Sequence, residues 1–185
     1  MRNEDDAGFR EFARDRTLAL RRTAYLLCLD WHLAEDLVQT ALIKLYRAWP
    51  RLKHSESVDN YARRVLTRCW LDEVRRSWRR RERRDGIVPE PVSDRDDPAL
   101  VASASGLSDV LLAALGEIGP RQRAVVVLRY CLDLPIAEVA DTLGLSQGTV
   151  KSQTTRGLEA LRAAVENRES ENRESEDLPT RGRSR

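Results

Sequence analysis

Pro135 to Arg162 reads PIAEVADTLGLSQGTVKSQTTRGLEALR, and this stretch decides the fold. Two helical patterns meet there at the turn Gly144-Leu145-Ser146. In the first, Ile136, Val139, Ala140 and Leu143 recur at intervals of three and four, an apolar stripe on one helix face. Pro135 suits the first helical position, where its missing N–H would be an orphan donor in any case. Gly144 stands where a left-handed residue can end a helix with no Cβ to oppose it. Ser146 can cap the second helix, whose inner face is expected to be Val150, Thr154, Leu158, Leu161 and Val165. Ala140, Gly144 and Val150 have the steric spacing of a helix-turn-helix, with Ala140 the small residue at the crossing. The second helix then turns Gln147, Thr149, Lys151, Ser152, Thr155 and Arg156 to solvent, short donors and cations suited to a major groove. A plain helical hairpin with a solvated face would share the periodicity; the residue types favour DNA.

Composition agrees with a helical chain. Of 185 residues, 34% are charged and only 5% aromatic, which favours a strongly solvated helical protein of one domain or two small ones. The net charge of +2 hides segregation. Residues 61–84 carry ten arginines against three acids, a local +7, whereas residues 85–106 carry one arginine against five acids. A basic block of that kind points to nucleic acid. Cys28, Cys69 and Cys131 are odd in number and far apart, so each reads as a small core residue rather than part of a disulfide or metal site. No leader and no long apolar run are visible, so a cytoplasmic protein without membrane insertion is expected.

Ahead of the motif, residues 1–8 read as a frayed start and Phe9 to Leu29 as two helical stretches. Their intervening arginines lie on a solvated face. His32 to Pro50 is a clearer helix, with Leu33, Leu37, Val38, Ala41, Leu42, Leu45, Tyr46 and Trp49 inward and Pro50 marking its end. The opposite face holds Asp36, Gln39, Thr40, Ile43 and Arg47. An isolated Ile ringed by polar groups is either an ordinary exposed apolar residue or the centre of a protein contact.

A polar loop, Arg51 to Ser57, leads into a long pattern from Val58 to about Arg84. Tyr61, Ala62, Val65, Leu66 and Cys69 should face the core. Trp70, Val74 and Trp78 fall elsewhere, among Arg63, Arg64, Thr67 and Arg75. Either the helix breaks near Trp70 and the tryptophans turn inward, or they stand outward among cations, the combination that holds single-stranded bases. Residues 85–106 are an aperiodic linker of 22 residues, spanning at most roughly 75 Å when extended. A helical unit from Leu107 to Ile118 and another from Arg121 to Cys131 lead into the motif. After Val165 the pentapeptide ENRES occurs twice in succession, uniformly polar, and 166–185 reads as a disordered tail.

Three stretches, WHLAEDLVQTALIKLYRAW (31–49), RQRAVVVLRY (121–130) and GLSQGTVKSQTTRGLEALR (144–162), together resemble the bacterial extracytoplasmic-function (group IV) sigma factors, in particular the actinobacterial SigE-like branch. The resemblance spans about residues 9–165. It implies an all-α chain of two small helical domains joined by a flexible linker: a region 2-like domain at 9–84, a linker at 85–106 and a region 4-like domain at 107–165. It also implies a sigma factor directing promoter-specific initiation, with core RNA polymerase (β′ clamp helices and β subunit), promoter DNA and an anti-sigma factor as partners. On that basis Asp36, Gln39, Thr40, Ile43 and Arg47 contact polymerase. The −10 element is read and melted by the helix carrying Arg63, Arg64, Arg68, Trp70, Arg75 and Trp78. The −35 element is read by Gln147, Thr149, Lys151, Ser152, Thr155 and Arg156. Arg68 departs from the Asn expected at its place, Gly119 precedes Pro120 where a Pro-Pro-like turn is common, and the repeat-bearing tail is extra. A two-domain helix-turn-helix regulator acting without polymerase is the alternative. An enzyme is disfavoured by two distant histidines and the lack of a metal spacing or phosphate loop, so no catalytic residue and no cofactor are expected.

Overall fold

The computed structural model describes residues 2–52, 58–83 and 108–176, and every regular element among them is helical. The first three helices are α1 (Arg2–Cys28), α2 (Trp31–Leu52) and α3 (Val58–Arg83). After the residues assigned to the linker, which lie outside the described ones, come α4 (Asp109–Glu117) and α5 (Pro120–Val126). The chain from α5 widens into a π turn at Val127–Cys131, and α6 (Ile136–Leu143) and α7 (Gln147–Glu176) complete the fold.

The turn between α1 and α2 is tight because Leu29 adopts a left-handed φ of 57°. Asp30 then caps α2, its Oδ1 accepting from the Leu33 amide at 2.8 Å. Phe9 and Phe12 of α1 meet Trp49 with ring centroids 5.4 and 5.3 Å apart. This aromatic knot ties the start of α1 to the end of α2, and α1 runs unbroken to Cys28, one helix where two stretches were expected. Helix α2 runs two residues beyond Pro50. A proline in the last turn forfeits one main-chain bond near an end where few remain to be lost.

Ala34, Leu37, Val38, Ala41, Leu45 and Trp49 form the buried face of α2. Tyr46, expected inside, is exposed, and its hydroxyl donates to Asp6 Oδ1 at 2.8 Å. Helix α3 crosses this pair with Ala62, Leu66 and Cys69 buried. It is unbroken at Trp70. Trp70 is nonetheless only 2% exposed. Neither sequence alternative anticipated this: the helix stays straight, and Trp70 shares an apolar cluster with residues of the second domain.

Helices α4 and α5 pack across α7, and Leu112, Leu115, Ile118, Ala124, Val126 and Val127 join the cluster that contains Leu27 and Leu66. A smaller cluster of Val125, Leu128, Leu134, Val139, Ala140 and Val150 lies under the helix-turn-helix. Helix α7 does not stop at Val165 but continues through the repeat to Glu176. Arg168 pairs with Glu117 of α4, and Arg173 pairs with Glu169 one turn back. The repeat lacks an apolar face, but a helix already nucleated by packing can propagate through it on such pairs.

Candidate functional site

The helix-turn-helix is built residue by residue as its sequence requires. Gly144 takes φ 67°, ψ 39°, and its N–H returns to the Ala140 carbonyl. Leu145 N–H reaches the same carbonyl at 2.9 Å. Two donors thereby serve one orphan acceptor at the end of α6. Ser146 Oγ accepts from the Thr149 amide at 3.1 Å and lies 2.8 Å from the Thr149 hydroxyl, closing the first turn of α7. Val139 and Val150 are fully buried at the crossing.

Along the outer face of α7, Gln147, Lys151, Ser152, Thr155 and Arg156 are exposed, and Thr149 is half-buried. Ser152 and Thr155 donate their hydroxyls to the carbonyls of Thr149 and Lys151, leaving oxygen lone pairs outward. Two cations and several small polar groups thus share the outward side of α7, with the exposed Leu158 at its far end.

The inner face differs from expectation. Leu158 is exposed, and the close approach is made by Gly157. A Cβ on Gly157 would lie 2.9 Å from Val126 Cγ2 and 3.4 Å from the Gln122 carbonyl oxygen. Only a glycine lets α7 lie this near to α5. Sequence reasoning missed it, although an isolated glycine inside a helical pattern is itself a signal that something packs against it.

On α3 the sequence-expected cations divide. Arg68 and Arg75 are exposed, and Arg75 pairs loosely with Asp72 at 3.6 Å. Arg63 and Arg64 are half-buried, Arg63 donating to Asn60 Oδ1 at 3.2 Å. Trp70 is covered, and the side chain of Trp78 lies outside the described residues. The arginine-rich surface is therefore present on α3 without a described aromatic beside it in solvent.

On α2 the structure brings all five expected residues to one surface. Asp36, Gln39, Thr40, Ile43 and Arg47 are exposed, and Ile43 is 55% accessible. Tyr46 adds a second large side chain to the same surface.

The cysteines carry no chemistry together. Cys69 is buried and Cys28 half-buried, but Cys131 is exposed, contrary to its reading as a core residue. Burial pushes the Cys28 thiol up to about 12, so it stays protonated and unreactive. Among the described residues no group of three or more His, Cys, Asp or Glu is placed to hold a metal ion, and no helix is long and apolar enough to cross a membrane.

A helix-turn-helix with a polar, cationic outer face and a second all-helical domain with an arginine-lined helix have the make-up of a two-domain DNA-binding protein. Residues 14–80 match Sigma-70 region 2, and residues 108–161 match Sigma-70, region 4. The chain is 35% identical over 164 residues to the RNA polymerase sigma-E factor of Streptomyces avermitilis, covering 87% of each chain. It is 36% identical over 156 residues to the sigma-E factor of Streptomyces coelicolor, covering 83% of this chain and 84% of the relative. Its fold is similar to the sigma factor RpoE of Bartonella quintana, solved with the anti-sigma factor NepR, with a TM-score of 0.68 at 23% identity over 84% of this chain and 97% of that one. The chain belongs to the extracytoplasmic-function family of RNA polymerase sigma factors.

Proposed function

We propose that the two exposed polar surfaces divide the work of this sigma factor residue by residue. The face of α2 with Asp36, Gln39, Thr40, Ile43 and Arg47 docks on core polymerase, at the β′ clamp helices. The cations of α3, Arg63, Arg64, Arg68 and Arg75, with Trp78, take the −10 element and hold its opened strand, while Trp70, buried in the apolar cluster, supports the helix. Gln147, Thr149, Lys151, Ser152, Thr155 and Arg156 on α7 read the −35 element. The domains run from 9 to 84 and from 107 to 165, and the protein works in the cytoplasm by binding alone, without a catalytic step. An anti-sigma factor is a further partner, as one is for the RpoE structure it resembles.

The observation that carries this reading is the pairing of a capped, outward α7 with an exposed Ile43 among polar neighbours on α2. A regulator acting alone would need the first surface but not the second. Run-off transcription with purified core polymerase on genomic promoter fragments tests it. Discrete transcripts that depend on the added protein are expected; sequence-specific DNA binding that needs no polymerase, with no transcripts, would favour the stand-alone regulator.

Within α7, base-edge contacts and phosphate contacts predict different results. A side chain on a base edge changes sequence preference, whereas one on a phosphate weakens binding to all sequences alike. Arg156→Ala should cost about 1–3 kcal/mol and relax the preference at one −35 position, as loss of a bidentate guanine contact does. The measurement is binding-site selection with polymerase holoenzyme carrying the wild-type or variant protein. An unchanged selected sequence would move Arg156 to the backbone.

A further inference from the structure

Along α3 one cation is set apart from the rest. From Val58 to Val74 only Arg68 is exposed, and every other residue there is half-buried or buried. Its neighbours Thr67, Cys69 and Trp70 are 0%, 5% and 2% exposed, so the helix behind it is fixed in the core. Arg68 makes no hydrogen bond or ion pair among the described residues. The other arginines whose side chains are described on α3 are already engaged or covered. Arg63 donates to Asn60 Oδ1 at 3.2 Å, while Arg75 pairs with Asp72 and Arg76 with Glu73, each at 3.6 Å. Arg64 is half-buried, its Nε covered and without a partner.

Its place on the helix decides what Arg68 can meet. Arg64 lies one turn before it and Arg75 two turns after it on the same face, about 6 Å and about 10 Å along the axis. A strand laid along that face has cations for its backbone on either side of Arg68. At Arg68 itself a phosphate would meet the carboxylate of Asp72, one turn further on and with its side chain 49% exposed. A base carries no charge to be repelled there. The Arg68 fork is unengaged, and its planar array of donors matches the O6 and N7 acceptors of guanine. Adenine sets an amino donor beside N7, and neither pyrimidine offers two adjacent acceptors on that edge, so none of them holds both arms.

We propose that Arg68 is a specificity residue for the −10 element, reading one guanine through O6 and N7 while Arg64 and Arg75 hold the phosphates beside it. This assignment rests on the −10 reading of α3 given above and adds to it the base that is chosen. It divides two tasks within one basic helix. Strand holding falls to cations that are partly covered or paired, and base choice to the one that is neither. The rigid backing of Thr67, Cys69 and Trp70 suits that task, because a bidentate contact needs its donors held in place.

The test is binding-site selection by polymerase holoenzyme carrying the full chain, on a promoter fragment with its −10 element randomised. Wild type should select guanine at one position. Adenine in its place should weaken binding about fivefold to a hundredfold, the discrimination of one bidentate pair. 7-Deazaguanine, which lacks the N7 acceptor, should cost wild type part of that loss and cost Arg68→Ala nothing. Arg68→Gln should move the preference to adenine, whose N6 and N7 suit an amide. Both variants should keep the helical circular dichroism, since the side chain is exposed and unpaired. A wild-type selection without guanine in the −10 element, or an Arg68→Ala protein that selects the wild-type sequence, would overturn the assignment. Arg75→Ala, also exposed, separates this step from the reading beneath it. Weaker binding to all −10 sequences alike in Arg75→Ala supports its phosphate role and keeps α3 on the element even if Arg68 chooses no base. Binding and selected sequence unchanged in Arg75→Ala and Arg68→Ala alike would remove α3 from the −10 element, and the guanine contact with it.

Discussion

Replacing Ile43 with Glu should weaken the affinity for core RNA polymerase thirtyfold or more while leaving the helical fold and its thermal stability as they are. The reasoning begins with exposure. Ile43 is 55% accessible on α2, and its neighbours on that face, Asp36, Gln39, Thr40 and Arg47, are exposed too. The buried side of α2 is made by Ala34, Leu37, Val38, Ala41, Leu45 and Trp49, so the core does not depend on Ile43. A surface substitution away from the core changes stability by no more than about 0.5 kcal/mol. An apolar anchor desolvated at an interface centre is commonly worth about 2 kcal/mol or more, which is about thirtyfold in affinity. A carboxylate there also has to be desolvated next to Asp36 on the same face. Titration of labelled core polymerase with the two proteins decides the matter, and equal affinity would remove α2 from the interface.

The elements most legible in the sequence were those set by local chemistry. Gly144 and Ser146 announced the turn of the helix-turn-helix, because a left-handed stop and a side-chain cap each need particular residues. Ile43 announced an outward surface because it broke a polar face. Helix lengths were less legible. Pro50 and the ENRES repeat both read as ends, yet α2 and α7 pass through them, since a helix anchored by packing can absorb a weak turn. Trp70 could not be placed at all. Periodicity ranks the faces of one helix, but whether a second face is covered depends on α6, some 70 residues further along the chain. Leu158 and Gly157 were exchanged for a related reason: spacing alone cannot say which of two adjacent positions points at α5 until that helix is in place.

Gly157 carries the second large effect. At 157 even a methyl group would lie 2.9 Å from Val126 Cγ2, with Gln122 Cβ and the Gln122 carbonyl oxygen each 3.4 Å away. Val126 is β-branched and buried, so its methyl cannot swing aside, and the carbonyl belongs to the backbone of α5. Two effects oppose each other in Gly157→Ala. The helix interior gains about 1 kcal/mol from losing a glycine, while overpacking a filled core costs about 1–3 kcal/mol. For Gly157→Leu the propensity gain is similar but three further carbons must be fitted, so overpacking wins and α7 is pushed off α5. The recognition helix then loses the support that fixes its angle to α6. We expect Gly157→Leu to lower the melting temperature by several degrees, in line with about 4–8 °C per kcal/mol for a domain of 60–100 residues. Promoter binding at the −35 element should fall with it, while co-purification with core polymerase through α2 persists. Thermal denaturation followed by circular dichroism, run beside the polymerase pull-down, gives both readings. A Gly157→Leu protein as stable as wild type would show that α5 and α7 can part without cost, and the close approach would lose its meaning for the reading head.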